Sequence, residues 1–226
     1  NATHTFTPGD LTGQSMTVQI GRPQVGGVVT PCTYAGVKVA SWEMGWKPDE
    51  FTTLGLTLLA KTETTGTALA AATYLTNSAK AYFGPGQSIG LTISGTAVCV
   101  RELTLAGDNA LADDRMCLGS TSVDEPLESG LRKYTGTATM EFSATTHYQQ
   151  FLNGGEYPIV LSVIGSIGAP QAALTVTMNA RFDEGTPNVD GPELIVYDRP
   201  FTCVATSMTN DGTAIQAVMI NTQTTI

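Results

Sequence analysis

The residues of this sequence best suited to chemistry are its histidines, adjacent acids, tryptophans and cysteines. His4 stands near the start of the chain and His147 in a short helical stretch. A nucleophilic triad would need one of them beside a serine or cysteine and an acid. No Gly-x-Ser-x-Gly elbow supports that arrangement. No Walker loop, dinucleotide fingerprint or His-Glu-x-x-His occurs either. The acids Asp49-Glu50, Asp113-Asp114 and Asp183-Glu184 sit in turn-like segments. A glycosidase needs two carboxyls facing across a cleft, whereas adjacent acids in turns are more commonly solvated. Asp113-Asp114 could hold calcium, but the spacing of an EF-hand loop is missing. Trp42 and Trp46 lie four apart on one face of a predicted strand. A carbohydrate platform is conceivable, yet Met44 on the same face makes a sheet core the plainer reading.

Cysteines occur at Cys32, Cys99, Cys117 and Cys203, with no Cys-x-x-Cys pair to suggest a zinc ribbon. Two disulfides remain open on spacing alone. Their apolar, strand-like neighbours favour free thiols acting as small hydrophobes. The side chains thus offer no catalytic constellation, metal site or cofactor site, and the sequence reads as non-enzymatic.

The elements around these residues are strands. Residues 135–142 put Thr and Glu on one face and Gly, Ala, Met and Phe on the other. Residues 174–182 repeat the scheme, and Met16, Val18 and Ile20 alternate with Ser15, Thr17 and Gln19. Period-2 alternation marks strands with one wet and one dry face. Further strands are expected at 36–46, 51–61, 88–94, 98–105, 159–164, 193–206 and 213–222. Lys47-Pro48-Asp49-Glu50 reads as a hairpin turn between two of them. One helix is expected, capped by Thr145 or Thr146 and stopped by Asn153-Gly154-Gly155. Tyr148, Phe151 and Leu152 would form its packing side. An Ala-rich stretch at 67–74 suits a helical turn or a long loop. The loop 108–132 is long and patternless, which in a compact domain marks function or an interface. No linker or repeat appears, so 1–226 reads as one domain.

Composition agrees. Charged residues make up only 14%, while 35 of 226 residues are threonine, which suits the solvent side of strands. The net charge is -9 and the pI about 4.5. An acidic surface without a basic stripe disfavours sequence-specific nucleic-acid binding, yet suits a surface that nucleic acid slides past. No apolar run is long enough to span a bilayer as a helix.

The ordered segments CTYAGVKVASWE (32–43), ETTGTALA (63–70), GTAVCV (95–100), LTLAGDNAL (103–111), LGS (118–120), EPLESGLR (125–132), FDEGTP (182–187) and VDGP (189–192) carry a resemblance. The chain resembles the tail tube proteins of siphoviruses, in the branch that infects actinobacteria. The likeness runs from about Phe6 to Phe201. Family members carry additional residues before His4-Thr5-Phe6, so the chain is expected to be N-terminally incomplete. The resemblance implies an all-β fold with one short helix: a tail-tube β-sandwich whose inner sheets join into a barrel in a ring oligomer. Such rings, commonly hexameric, stack into the virion tail. They surround a tape-measure protein, meet tail-end proteins and conduct the genomic DNA without binding its sequence. The protein would be made in the host cytoplasm.

Combined with that resemblance, strands 36–46, 51–61, 98–105 and 132–143 are expected to form the inner wall. Glu43, Thr53, Thr57, Glu102, Thr104, Thr137, Thr139 and Glu141 would line the lumen. Loops 61–83 and 108–132 would touch the next ring, through Glu63, Thr64, Asp113, Asp114, Arg115, Glu125 and Glu128. A secreted carbohydrate-binding or adhesin sandwich, with Trp42 and Trp46 as its platform, is the alternative.

Overall fold

Alternation of buried and exposed side chains organises this chain. Leu174, Val176, Met178, Ala180 and Phe182 are buried in one segment, and Leu103 and Leu105 in another. Such segments become strands because a pleat turns successive side chains to opposite faces. The computed structural model describes residues 2–71, 83–84, 88–120, 122–165, 172–188, 191–192, 194–206 and 214–221. These form β1 (Ala2–Phe6), β2 (Met16–Pro23), β3 (Val29–Trp46), β4 (Thr53–Leu59), β5 (Thr62–Thr64), β6 (Ser88–Ile93) and β7 (Thr96–Val98). They continue with β8 (Val100–Asp108), β9 (Lys133–Glu141), α1 (Thr145–Leu152), β10 (Glu156–Ile164), β11 (Ala173–Phe182), β12 (Val196–Cys203) and β13 (Ile215–Asn221).

All pairings are antiparallel. A first sheet runs β4-β3-β8-β9-β12, and a second runs β7-β6-β10-β11-β13-β1. β11 belongs to both: its residues 173–178 pair with β13 and its residues 180–182 with β12. The core lies between the sheets. Leu103, Leu105, Met140 and Phe201 come from the first, and Ile159, Leu161, Val176 and Met178 from the second. Burying each such side chain contributes roughly 1.5–3 kcal/mol. β3 is longer than the sandwich needs. Its 18 residues span about 60 Å at the usual rise of ~3.3 Å per residue. The first half pairs with β2 and β5 in a separate small sheet, an arm. The second half enters the sandwich. Gly36 marks the change with φ 63°, a left-handed conformation that costs glycine little.

Two contacts hold the first sheet in register. A Cβ on Gly107 would fall 2.3 Å from the Trp42 indole, and one on Gly136 would fall 2.4 Å from the Phe201 ring. The rings lie where side chains are missing on the adjacent strand.

Several expectations need correction. Residues 2–6, outside the expected strands, form a strand paired with β13, and His4 in it is buried. The expected strand 98–105 breaks at Cys99: β7 pairs with β6 in the second sheet, and β8 with β3 and β9 in the first. The chain changes sheets there, which interrupts the ladder. Residues 72–74 of the Ala-rich stretch lie outside the described residues, and 67–71 are not helical. The helix starts at Thr145, with Ala144 in the cap position and no side-chain cap bond.

The helix packs partly as expected, with Phe151 against the core. His147 and Gln150 are its buried residues, while Leu152 is 55% exposed. Beside the helix, Arg199 on β12 is fully buried. Its guanidinium lies 3.6 Å from the centre of the Phe182 ring and donates to the His147 carbonyl at 2.8 Å. Among the described residues no carboxylate pairs with it. Burial holds the His147 imidazole below its ordinary value of 6.5, and the Arg199 charge adds to this.

All four cysteines are free; Cys32 and Cys203 are buried, Cys99 and Cys117 exposed. Burial pushes the Cys203 thiol up to about 12. Titration with a thiol reagent should therefore find two reactive groups in the folded protein and four after unfolding without reductant. Gly136→Ala should destabilise by about 1–3 kcal/mol in denaturant unfolding, because the added methyl meets both the Phe201 ring and a backbone carbonyl.

Candidate assembly surfaces

In antiparallel sheets, directly opposed residues share a face, so the registers sort the paired side chains of the first sheet onto its two faces. Thr57, Ser41, Asp108 and Lys133 form one row across the strands. Gly55, Glu43, Ala106, Thr135 and Thr202 form the next, followed by Thr53, Gly45, Thr104, Thr137 and Pro200. Glu102, Thr139 and Asp198 make a fourth row, and Glu141 opposes Val196 in a fifth. The eight residues expected to line a lumen therefore lie on one continuous face. Its charges are largely tied down. Arg101 donates to Glu141 at 2.8 and 3.1 Å, Lys47 stands 3.3 Å from Glu102, and Thr139 donates to Asp198 at 2.6 Å.

The opposite face of this sheet is apolar, and it runs past the core. Trp42, Met44 and Trp46 belong to it, with Trp42 tilted against Tyr134 at 6.2 Å. Trp46 is 2% exposed. The two tryptophans thus pack into the sandwich and form no exposed carbohydrate platform. Beyond them the edge strand β4 carries Leu54, Leu56 and Leu58, exposed at 57%, 51% and 40%. β3 is the neighbour of β4 among the described residues, so the other edge of β4 is open there. An open edge flanked by an apolar row invites pairing with another chain.

The loop 108–132 is ordered by its own hydrogen bonds. Ala112 donates to the Leu127 carbonyl at 2.9 Å, Ser129 to Ala110 at 2.8 Å and Asp124 to Arg115 at 2.8 Å. The Arg115 guanidinium donates to the Glu125 carbonyl, and Arg132 pairs with Glu128. Asp113 and Asp114 are exposed at its far end. Glu125 instead points back to the body. It sits 2.5 Å from the Lys38 ammonium, whose side chain is 1% exposed, and accepts from Gly13 at 3.0 Å. Lys38 also donates to the Leu11 carbonyl at 2.6 Å. The Lys38 hydrogen bond holds the Glu125 carboxyl below its ordinary value of 4.5. Glu63 and Thr64 lie on β5 in the arm, where Tyr34 donates to Glu63 at 3.0 Å.

The sequence profile of the phage tail tube protein family matches residues 2–203. The chain belongs to the phage tail tube proteins. It is a structural protein of the virion tail, and tail tube proteins assemble with copies of themselves. No curated protein matches this tail tube protein. β13 falls outside the matched residues, yet it lies between β1 and β11. Among the described residues no helix is long and apolar enough to cross a membrane.

Sequence reasoning missed two parts of these surfaces. β12 supplies Asp198 and Thr202 to the polar face. The strand itself was expected at 193–206, but its place beside β9 in the first sheet comes from pairing in space. The Leu54, Leu56 and Leu58 row was legible too, and reads as core until the strand proves to be an edge.

Lys38 and Glu125 yield a test. Glu125→Ala should lower Tm, and Glu125→Ala with Lys38→Met should recover most of it, because a buried ammonium is no longer stranded. In the parent protein the pair's contribution is present above pH 4.5 and lost as the pH falls through that value toward the lower folded pKa. The double variant should lack that acid sensitivity.

Proposed function

We propose that this tail tube protein closes into rings by joining the first sheets of neighbouring copies edge to edge. β4 of one copy meets the β12 side of the next. The observation that carries this reading is the single polar face built from Glu43, Thr53, Thr57, Glu102, Thr104, Thr137, Thr139 and Glu141. A sheet with one wet face, one dry face and an open edge solves its edge problem by closing into a barrel. The polar face then turns to the bore and the apolar row on β4 is covered. The two edges differ, so the contact is heterologous, and a ring results where its rotation closes.

Rings of six follow the habit of the family that the chain resembles. Residues 1–226 act as one unit, with the arm that carries Glu63 and Thr64 and the loop 108–132 reaching the adjacent ring. The bore holds a tape-measure protein until ejection and then passes DNA from tail-end to host. Threonine hydroxyls, and carboxylates already paired to Lys47 and Arg101, give phosphates few cations to hold. The role is mechanical rather than catalytic.

The Leu56→Lys, Leu58→Lys double variant should stay folded, within about 0.5 kcal/mol of the parent, since both side chains are exposed in the single chain. Sedimentation and negative-stain microscopy should show monomers in place of rings. Rings of normal yield from this variant would contradict the edge-to-edge reading.

A further inference from the structure

Tubes need contacts along the axis as well as around the ring. The two poles of the first sheet look made for each other. β8 runs from Val100 to Asp108, so its ends are roughly 26 Å apart at the strand rise of ~3.3 Å per residue. The loop 108–132 leaves from the Asp108 end. Its tip is an apolar knuckle: Met116 is 64% exposed and Leu118 is 107% exposed. Free side chains of this kind usually wander, but this tip is braced. Met116 donates to the Asp114 carbonyl at 2.8 Å, Ser120 to Cys117 at 3.0 Å and Asp124 to Arg115 at 2.8 Å. Asp113 and Asp114 flank it, both exposed.

The Val100 end holds a cavity of about 130 Å³, walled by Trp46, Pro48, Leu91, Val98, Val100 and Leu103. A cavity of ~150 Å³ holds a benzene-sized group, so this one has room for a single aliphatic side chain inside its charged rim. Lys47, Arg101 and Glu102 also line it, with Lys47 3.3 Å from Glu102. Among the described residues the buried Trp46 indole N–H has no acceptor. A buried donor without a partner is costly, and an arriving backbone carbonyl would relieve it.

We propose that the Met116–Leu118 knuckle of one copy enters the Trp46 cavity of a second copy in the adjacent ring. This deepens the tube reading and rests on it. The shapes match as knob and hole. Knob and hole sit at opposite poles, so each bound copy presents a fresh knob to the next. A patch complementary to a pocket elsewhere on the same molecule gives an open, head-to-tail polymer. That is the symmetry of a stack of rings.

The protein carries its own probes. Cys117 lies in the knuckle, and Cys99 lies in sequence between Val98 and Val100, which line the cavity; both thiols are exposed and free. Treating assembled tubes with a short bismaleimide should give a ladder of linked chains on a denaturing gel. Peptide mapping should find Cys99 joined to Cys117. Cys99→Ser and Cys117→Ser should each abolish the ladder, and tubes mixed from the two variants should give dimers only. Leu118→Asp should leave rings intact and cut tube yield at least tenfold. Tubes that form without a Cys99–Cys117 product, or normal tubes from Leu118→Asp, overturn this contact and leave the ring reading standing. Absence of any ring or tube from the parent protein overturns both.

Discussion

The register of β8 between β3 and β9 decides which side chains this protein buries and which it displays. A slip of one residue would exchange the two faces of the sheet. Leu103 and Leu105 would turn to solvent, and Glu102 and Thr104 to the core. Two ring-on-glycine contacts oppose that slip. Trp42 from β3 lies over Gly107 of β8, and Phe201 from β12 lies over Gly136 of β9. Each locks a strand to its neighbour at a point where only glycine leaves room. The polar face is thus a consequence of packing on the other side of the sheet.

The same sheet couples the rest of the molecule. β3 continues out of the sandwich into the arm, and the chain turns at Gly36. Beside that turn Lys38 is buried and tied to Glu125 from the long loop and to the Leu11 carbonyl. A buried ammonium without an acid is strongly unfavourable, so the pair fixes loop, arm and sandwich relative to one another. Three parts reached by distant stretches of sequence meet at one charge. The knuckle at the tip of the loop then projects from a rigid base, which is what a docking element requires.

Much of this was legible before any coordinates. Alternation alone located β9, β10 and β11, because those strands have one dry face and few exceptions. It also placed Glu43, Thr104 and Thr137 on a wet face, since parity within a strand is a local property. What was not legible depended on partners in space. Residues 2–6 are too short to signal a strand until β13 pairs with them. The break at Cys99 reflects a change of sheet, which hydrophobicity does not record. Of the helix side expected from Tyr148, Phe151 and Leu152, Phe151 packs on the core, while Leu152 faces out and His147 and Gln150 are buried, with Arg199 meeting the His147 carbonyl. Glu125 looked like a surface acid because Lys38, its partner, is 87 residues earlier in the numbering. The Leu54, Leu56 and Leu58 row has ordinary core chemistry and becomes a surface only because β4 is an edge.

The central claim is that the face bearing Glu43, Thr104 and Thr137 turns toward the bore. Electron cryomicroscopy of tubes grown from the purified chain tests it most directly. The account predicts a hollow tube whose inner wall is the β4-β3-β8-β9-β12 sheet, continuous from copy to copy, with those side chains on the lumen. A tube whose inner wall is formed by the β10-β11 sheet, with Glu43 and Thr137 on the outside, would contradict it.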